Sequence, residues 1–297
     1  MLEAIIALAS LGLIFGLVLG LASKKLKVEV DPTVEKLIEV LPGANCGACG
    51  YPGCSGLAEA IAAGKANIDS CIPGGKETAD HVADIMGMSS GDCKEPLIAR
   101  VQCQGTVDKS KYIYEYEGIP SCDLAAGYFN GSKDCQFGCF GLGTCAASCP
   151  FDAITMGEDN LPKIDMEKCT GCGVCVEACP QNIIRLGRAT QRIFVSCSNT
   201  DKGKDSRKVC TISCIKCRIC EKGCPSDAIH VIQTGTGTIA RIDEEKCTNC
   251  GWCADNCPTG AIQTIEPLED FFKMINNRVP VKEEESKSGC AACGLCK

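Results

Sequence analysis

Cysteines recur at short, regular spacings along this chain, which contains 28 of them among 297 residues. One run reads Cys169-x2-Cys172-x2-Cys175-x3-Cys179 and is followed directly by Pro180. Two further runs of the same form lie downstream and also end in Cys-Pro. Four thiolates at this spacing, with the following proline, match the run that wraps an iron-sulfur cubane in bacterial ferredoxins. The spacing therefore predicts [4Fe-4S] clusters and one-electron chemistry.

Two other uses of cysteine fit this pattern less well. Disulfide frameworks belong to short secreted domains, and their spacings rarely repeat as Cys-x2-Cys-x2-Cys. Zinc binds paired Cys-x2-Cys knuckles in a tetrahedral site, whereas these runs carry a further cysteine followed by proline. The pattern favours iron-sulfur clusters over disulfides and over zinc.

The composition indicates several small domains rather than one large core. Only 5% of the residues are aromatic. Small domains seldom bury enough apolar surface to fold alone, and many use a metal in place of part of the core. We therefore expect the protein without its clusters to be largely unfolded. The formal charge of −7 argues against a nucleic-acid partner.

The first segment is apolar enough to enter a membrane. Residues 4–22 are apolar or small throughout, except Ser10. Their helical length of about 28 Å is close to the thickness of a bilayer core. Glu3 precedes the stretch and no basic residue does, which argues against a cleaved signal peptide. Lysines in residues 24–27 predict a single-pass anchor with the rest of the chain in the cytoplasm.

Small residues line one side of this predicted helix. Gly12, Gly16 and Gly20 lie four residues apart, a spacing that lets another helix approach closely. The stripe indicates a partner helix, and the alternative is a simple anchor with the glycines usual in such segments.

A four-cysteine block follows the predicted anchor. Residues 31–41 have the period of an amphipathic helix, and an alanine-rich stretch predicts a second helix over residues 56–63. Glycines between the cysteines let the backbone bend around a cluster and point amides at the sulfurs. The predicted ligands of this closed site are Cys46, Cys49, Cys54 and Cys71.

The later cysteine runs form an internal repeat. The segment from Cys149 to Cys179 is echoed by the segment from Cys224 to Cys257. In two-cluster ferredoxins the fourth cysteine of each run ligates the cluster of the other run. We therefore predict four clusters with cross-ligation, held by Cys135, Cys139, Cys145 and Cys179; by Cys169, Cys172, Cys175 and Cys149; by Cys214, Cys217, Cys220 and Cys257; and by Cys247, Cys250, Cys253 and Cys224.

The first of these runs departs from the usual spacing. It reads Cys135-x3-Cys139-x5-Cys145-x3-Cys149. We expect residues 140–143 to bulge outward from the cluster. The altered spacing bears on the type and potential of the cluster, because ligand geometry and hydrogen bonds set both.

Eight cysteines lie outside the five predicted sites. Cys103 and Cys197 each follow a strand-like stretch, over residues 98–101 and 193–195. Each is followed by another cysteine, and the four together either form a sixth site or are buried structural thiols. This set consists of Cys103, Cys122, Cys197 and Cys210. A run at the carboxyl end consists of Cys290, Cys293 and Cys296. It either binds no cluster or binds a seventh cluster, whose fourth ligand would be Cys93 or a residue of a partner.

No catalytic residues are expected in this chain. Residues 235–238 are glycine-rich but lack the G-x-G-x-x-G spacing of a dinucleotide site. No nucleophile, acid–base pair or phosphate loop stands out, so nicotinamide chemistry is expected on another chain. Trp252, between Cys250 and Cys253, is predicted to pack over its cluster and exclude water.

The order of these segments resembles that of a known family. The apolar first segment, the block LPGANCGACGYPGCSGLAEAI and the ferredoxin repeats are together similar to the B-type subunit of the Rnf complexes, over nearly the whole chain. The resemblance implies an electron-transfer subunit of a membrane-bound, ion-translocating ferredoxin:NAD+ oxidoreductase. Such a subunit accepts electrons from soluble reduced ferredoxin and passes them to membrane subunits. NAD is then reduced on a flavin- or NAD-binding subunit, and Na+ or H+ is expelled.

The predicted fold class is α+β, and two other functions stay open. The chain would otherwise be an iron-sulfur subunit of a membrane hydrogenase or reductase, or a redox-sensing or structural iron-sulfur protein. The predicted organisation begins with an anchor (residues 1–25), a small [4Fe-4S] domain (26–90) and a connecting segment (91–134). A first ferredoxin-like module (135–190), a second connecting segment (191–213), a second module (214–266) and a cysteine-containing tail (267–297) follow.

Overall fold

The computed structural model describes residues 2–25, 31–88 and 95–265. Four of the cysteines discussed above lie outside this part of the chain, as does the predicted tail; they are Cys93, Cys290, Cys293 and Cys296. The described part combines short helices with short strands, which confirms a mixed helix and strand fold.

The first helix, α1, runs Leu2–Lys25. Its large apolar side chains between Leu11 and Leu21 are exposed, with Leu13 at 69% and Leu19 at 68%. Among the described residues, no helix has the length and apolarity needed to cross a bilayer. The membrane anchor that the sequence predicts over residues 4–22 is not supported by the described helices and stays a prediction.

Three helices form the small domain: α2 Pro32–Val40, α3 Gly53–Ala62 and α4 Gly75–Met86. The side chain of Asp31 caps α2 by accepting a hydrogen bond from the Thr33 N–H at 2.8 Å. The helices pack through a fully buried apolar cluster that includes Leu37, Leu57 and Val82. This contact fixes the segments that carry the first four cysteines.

Helix α3 begins three residues before the predicted start at residue 56. The Asn45 side chain accepts a hydrogen bond from the Cys54 N–H at 2.8 Å. Free N–H groups at a helix start need such partners, so this bond stabilises a first turn that includes Cys54. Helix α2 matches its prediction to within one residue at each end.

Fourteen further elements form two related modules. Their bounds are β1 Leu97–Val101, α5 Cys122–Ala126, α6 Thr144–Ala147, β2 Ile154–Met156, β3 Pro162–Ile164, α7 Val174–Glu177, β4 Ile184–Arg188, β5 Ile193–Val195, α8 Gly203–Val209, α9 Ile219–Lys222, β6 Ile229–Thr234, β7 Gly237–Ile242, α10 Trp252–Asp255 and β8 Ile262–Thr264. The strands predicted over residues 98–101 and 193–195 are confirmed as β1 and β5.

The described strands pair as two-stranded antiparallel ladders. In the first module β1 pairs with β4 and β2 with β3; in the second, β5 pairs with β8 and β6 with β7. Two-stranded ladders are marginal by themselves in water. The ladders pack on small cores of aliphatic side chains, mainly Ile, Val and Ala, that also contain buried cysteines, among them Cys169 and Cys253. The cysteines thus lie where larger domains place apolar side chains.

Two neighbouring apolar residues of α2 differ in burial and test the packing of the small domain. Leu37 is fully buried, whereas Ile38 is 39% exposed. We expect Leu37→Ala to lower the free energy of unfolding by about 2–5 kcal/mol, because it leaves a cavity between helices. Ile38→Ala is the matched control and should cost less than about 1 kcal/mol. Anaerobic urea unfolding followed by circular dichroism measures both; equal losses would contradict this packing.

Candidate metal centres

The regular cysteine runs share one backbone geometry. In each of them, the residues directly before and after the second cysteine have a positive φ. Glycine adopts this conformation at little cost, whereas other residues are strained in it. The chain then enters a helix of four residues, α7, α9 or α10. The residues with positive φ are Gly171 and Gly173, Lys216 and Arg218, and Asn249 and Gly251.

The irregular first run follows the same path with one ligand replaced. Gly141 has φ 79° and Gly143 has φ 77°, and α6 begins next. Leu142 therefore lies at the position that a cysteine holds in the other runs. The expected outward bulge of residues 140–143 is not seen, because the loop has the length of a regular run counted from Cys139.

A cysteine from another segment lies beside this loop. Cys122 lies at the start of α5, and its N–H donates to Thr144 Oγ1 at 2.8 Å. It lines a cleft of about 360 Å³, including its opening to solvent, together with cysteines of the predicted set. We name this group site III; it consists of Cys122, Cys139, Cys145 and Cys179.

The neighbouring cleft contains a predicted ligand set without change. It measures about 310 Å³ with its opening. The Ala99 N–H donates to Cys169 Sγ and the Ala153 N–H donates to Cys149 Sγ, both at 3.4 Å. We name this group site II; it consists of Cys149, Cys169, Cys172 and Cys175.

The second module repeats this arrangement. Its cleft of about 290 Å³ contains site VI, which consists of Cys224, Cys247, Cys250 and Cys253. The Gln191 side chain donates to Cys247 Sγ at 3.2 Å. Burial raises the pKa of Cys224, but hydrogen bonds outweigh it, chiefly from the Ala228 N–H at 3.3 Å, and the net pKa is lowered. Such donors favour the thiolate form.

Two further groups match the predicted sets. Site V consists of Cys214, Cys217, Cys220 and Cys257, and site I consists of Cys46, Cys49, Cys54 and Cys71. Burial is the main cause that raises the pKa of Cys214, and the thiols of Cys257 and Cys217 add to it. Burial likewise raises the pKa of Cys71, with added contributions from the other three thiols of site I. Each group is thus close enough for its charges to interact.

The remaining four described cysteines share one more cleft. It measures about 350 Å³ with its opening and lies between the two modules. Cys135, which the sequence placed with Cys139, lines this cleft instead of the cleft of site III. We name this group site IV; it consists of Cys103, Cys135, Cys197 and Cys210.

The first three sites lie close to one another. The thiol of Cys46 in site I adds to the raised pKa of Cys172 in site II, of which burial is the main cause. Burial is also the main cause of the raised pKa of Cys175 in site II, to which the thiol of Cys145 in site III adds. Charges act on one another in this way only when the groups are close, so sites I, II and III are neighbours in that order.

The series continues through site IV into the second module. The Cys139 N–H of site III donates to Cys103 Sγ of site IV at 3.4 Å. The Cys214 N–H of site V donates to Cys197 Sγ of site IV at 3.3 Å. Burial chiefly raises the pKa of Cys253 in site VI, and the thiol of Cys220 in site V adds to it. Sites III to VI therefore also follow one another without a gap.

These thiols fit an iron-sulfur cluster. All 24 described cysteines are free thiols. In the same part of the chain, no three side chains of His, Cys, Asp or Glu lie close enough to hold a single metal ion. The cysteines of sites II, III, IV and VI instead line clefts in groups of four. Burial raises the pKa of Cys139, Cys175 and Cys253 to about 12. Ionisation at neutral pH therefore needs a cation to replace the proton, as metal binding does.

One feature of the sequence could have shown that Cys135 does not belong to the run that begins at Cys139. Cys135 and Cys139 lie 75 residues before Cys210 and Cys214, and the same offset relates the later cysteines of the two runs. Cys135 is therefore the counterpart of Cys210, outside the run. Counted in this way, Leu142 is the counterpart of Cys217. The first run therefore lacks a cysteine at this position.

Family models match three parts of the chain. A model for an Fe-S cluster domain matches residues 41–73, which contain site I. A 4Fe-4S binding domain matches residues 162–185. A 4Fe-4S dicluster domain matches residues 213–261, which contain sites V and VI. Iron-sulfur binding is therefore shown for both the small domain and the modules.

Curated relatives match most of the chain. The B-type subunit of the ion-translocating oxidoreductase complex of Methanosarcina acetivorans is 42% identical over 83% of this chain and 91% of its own length. This chain belongs to the family of Rnf complex B-type subunits. The corresponding subunit of the Na(+)-translocating ferredoxin:NAD(+) oxidoreductase complex of Acetobacterium woodii is 45% identical over 79% of this chain and 69% of its own length. The counterpart from the proton-translocating complex of Clostridium ljungdahlii is 40% identical over 76% of this chain and 80% of its own length. The family resemblance drawn from the sequence is confirmed.

Among solved structures, the chain is similar to part of a formate dehydrogenase–heterodisulfide reductase–formylmethanofuran dehydrogenase complex from Methanospirillum hungatei. The match is 26% identical and covers 43% of this chain and 52% of the other. Its TM-score is 0.16, which carries no information on the overall fold.

The replaced ligand of site III gives a direct test. We expect Cys122→Ser to remove one thiolate from a four-iron site and to produce a [3Fe-4S] signal or the loss of about four irons per chain. Adding Leu142→Cys restores a cysteine at the regular position and should restore the iron content. Electron paramagnetic resonance and iron analysis of anaerobic protein measure both. An unchanged spectrum and unchanged iron content in Cys122→Ser would contradict this ligand set.

Proposed function

We propose that this chain carries electrons from reduced ferredoxin to the membrane subunits of an ion-translocating ferredoxin:NAD+ oxidoreductase. The observation that supports the proposal best is the unbroken series of four-cysteine sites. The names of the relatives from Acetobacterium woodii and Clostridium ljungdahlii describe such complexes. We infer NAD reduction on another subunit, because the sequence of this chain lacks a dinucleotide motif.

We propose that sites I, II, III, V and VI hold five [4Fe-4S] clusters. When bound, such clusters supply reversible one-electron transfer at potentials set by charge, hydrogen bonds and exposure. The chain contributes thiolates, N–H donors and apolar cover. The ring of Trp252 packs against Gly223 so closely that a Cβ at that position would overlap it. This contact puts the ring beside Cys224 of site VI and supports a role in excluding water.

Exposed ligands in the second module support electron entry there. Among the described cysteines, only Cys217 of site V and Cys250 of site VI are exposed. Arg218 and Lys222 are basic residues close to Cys217 in the chain, and Arg218 is exposed as well. Positive charge beside an exposed cluster attracts an anionic carrier and raises its association rate. A small acidic protein such as ferredoxin fits this end of the series.

Site I is the opposite end of the series and lies nearest to the first helix along the chain. We propose that α1 anchors the protein in the membrane, so that site I delivers electrons to membrane subunits. The exposed apolar side chains between Leu11 and Leu21 support this role, because contiguous apolar surface marks membrane or protein contacts. The glycine stripe over residues 12–20 would then face a helix of a partner protein.

Reduction by ferredoxin tests the proposed function. Mixing the anaerobic oxidised protein with reduced ferredoxin should bleach the cluster absorbance within the turnover time of an Rnf complex. We expect Arg218→Glu with Lys222→Glu to lower the second-order rate about tenfold at low salt, with less effect at high salt. Lys163→Glu, an exposed change in the first module, is the matched control. No fast bleaching of the unaltered protein would reject the electron-transfer role.

Membrane attachment has a separate test. Expressed alone in a host without the other subunits, the full chain should stay in carbonate-washed membranes, because α1 buries its apolar side chains in lipid. Deletion of residues 2–25 should move it to the soluble fraction with its iron content unchanged. A full chain recovered in the soluble fraction would contradict the anchor.

A further inference from the structure

Site IV gathers four cysteines from both halves of the chain. Cys135, Cys197 and Cys210 are buried and Cys103 is partly buried, and all four line the cleft between the modules. Segments on both sides close around it, since the Lys111 N–H donates to Val209 O and the Thr211 N–H donates to Lys109 O, both at 2.9 Å. The cleft is thus part of the folded junction.

The four cysteines form two equivalent pairs. Cys135 and Cys210 each precede the first cysteine of a run by four residues. Cys103 and Cys197 each follow the strand that opens a module, β1 or β5, within the pattern V-x-C-x-x-T. Each repeat therefore contributes one cysteine of each kind, which four unrelated structural thiols would not do.

A buried positive charge lies beside this cleft. Lys133 is only 2% exposed, and its Nζ donates to the carbonyl of Gly105, a residue that lines the cleft, at 2.6 Å. No ion pair of Lys133 is found within residues 95–265 or the other described ranges. A buried ammonium group is costly unless a negative charge compensates it. Four neutral thiols supply none, whereas a thiolate-bound cluster is anionic.

The sulfurs of site IV accept hydrogen bonds from several donors. Cys103 Sγ accepts from the N–H groups of Gly105 and Cys139, both at 3.4 Å. Cys135 Sγ accepts from the side-chain amide of Asn199 at 3.6 Å. Asn199 also accepts from Lys216 Nζ at 3.2 Å. Donors converging on sulfur are typical of cluster ligands, and they set the potential.

We propose that Cys103, Cys135, Cys197 and Cys210 hold a sixth [4Fe-4S] cluster at the junction of the two modules. The inference extends the proposed electron-transfer function and rests on it for its purpose, since site IV contacts site III through Cys103 and site V through Cys197. It differs from the set weighed from the sequence by having Cys135 in place of Cys122.

Iron analysis tests the site without altering it. The full chain is prepared with four cysteines changed to Ser, so that the tail run and Cys93 bind no iron. These cysteines are Cys93, Cys290, Cys293 and Cys296. Six sites then give about 24 irons and 24 sulfides per chain, and five sites give about 20 of each. A value near 20, or zinc in place of iron, would overturn the proposal.

A pair of substitutions tests the ligands themselves. Cys103→Ala with Cys197→Ala removes one thiol from each module and should lower iron and sulfide by about four each per chain. Ser198→Ala changes the lining of the same cleft and is the matched control; it should keep all its iron. Equal iron in the double variant and the unaltered chain would overturn the site.

Electron transfer separates this inference from the proposed function. With reduced ferredoxin added in excess, the double variant should show fast bleaching of the second module and about tenfold slower bleaching of the first, because the site between them is lost. Equally fast bleaching of both modules would overturn the bridging role of site IV. If the unaltered chain is not reduced at all, the proposed function fails, while the iron count still decides the site.

Discussion

A compact metal group held by four cysteines takes the place that a hydrophobic core fills in larger domains. The modules contain helices of four residues and ladders of two strands, and neither is stable alone in water. Their cores are made of a few aliphatic side chains, mainly Ile, Val and Ala, with cysteines among them. We infer that ligation holds these elements in position and closes the loops with positive φ between the cysteines.

The same constraint arranges the sites in a series. Cys179 follows the run of site II but lines the cleft of site III, and Cys149 does the reverse. Sharing ligands in this way forces two sites to be neighbours. Backbone N–H groups that donate to cysteine sulfurs connect site III to site IV and site IV to site V. Folding around the clusters therefore also places neighbouring clusters close enough for electron transfer between them. An electron-transfer subunit of this family requires such short distances.

Spacing predicted those parts of the structure that local sequence determines. The regular runs, the strands β1 and β5 and the helix α2 lie where the sequence placed them, because each depends on neighbours within a few residues. The position of Cys122 beside Cys139 was missed because Cys122 comes from another segment, and because Leu142 made a regular run look stretched. The set with Cys135 depends on contacts between modules, which no local pattern encodes. The repeat offset was the one signal that could have revealed both.

The dependence of the fold on its clusters can be measured most directly by amide hydrogen exchange, before and after anaerobic removal of iron with a chelator. The account predicts that protection of β1, β4, β6 and β7 falls to that of an unfolded chain when iron is removed, while the protection of helix α1 is unaffected by the treatment. Strands that keep their protection without iron would show that apolar packing alone maintains the modules, and would contradict the central role given to the cysteine-bound clusters.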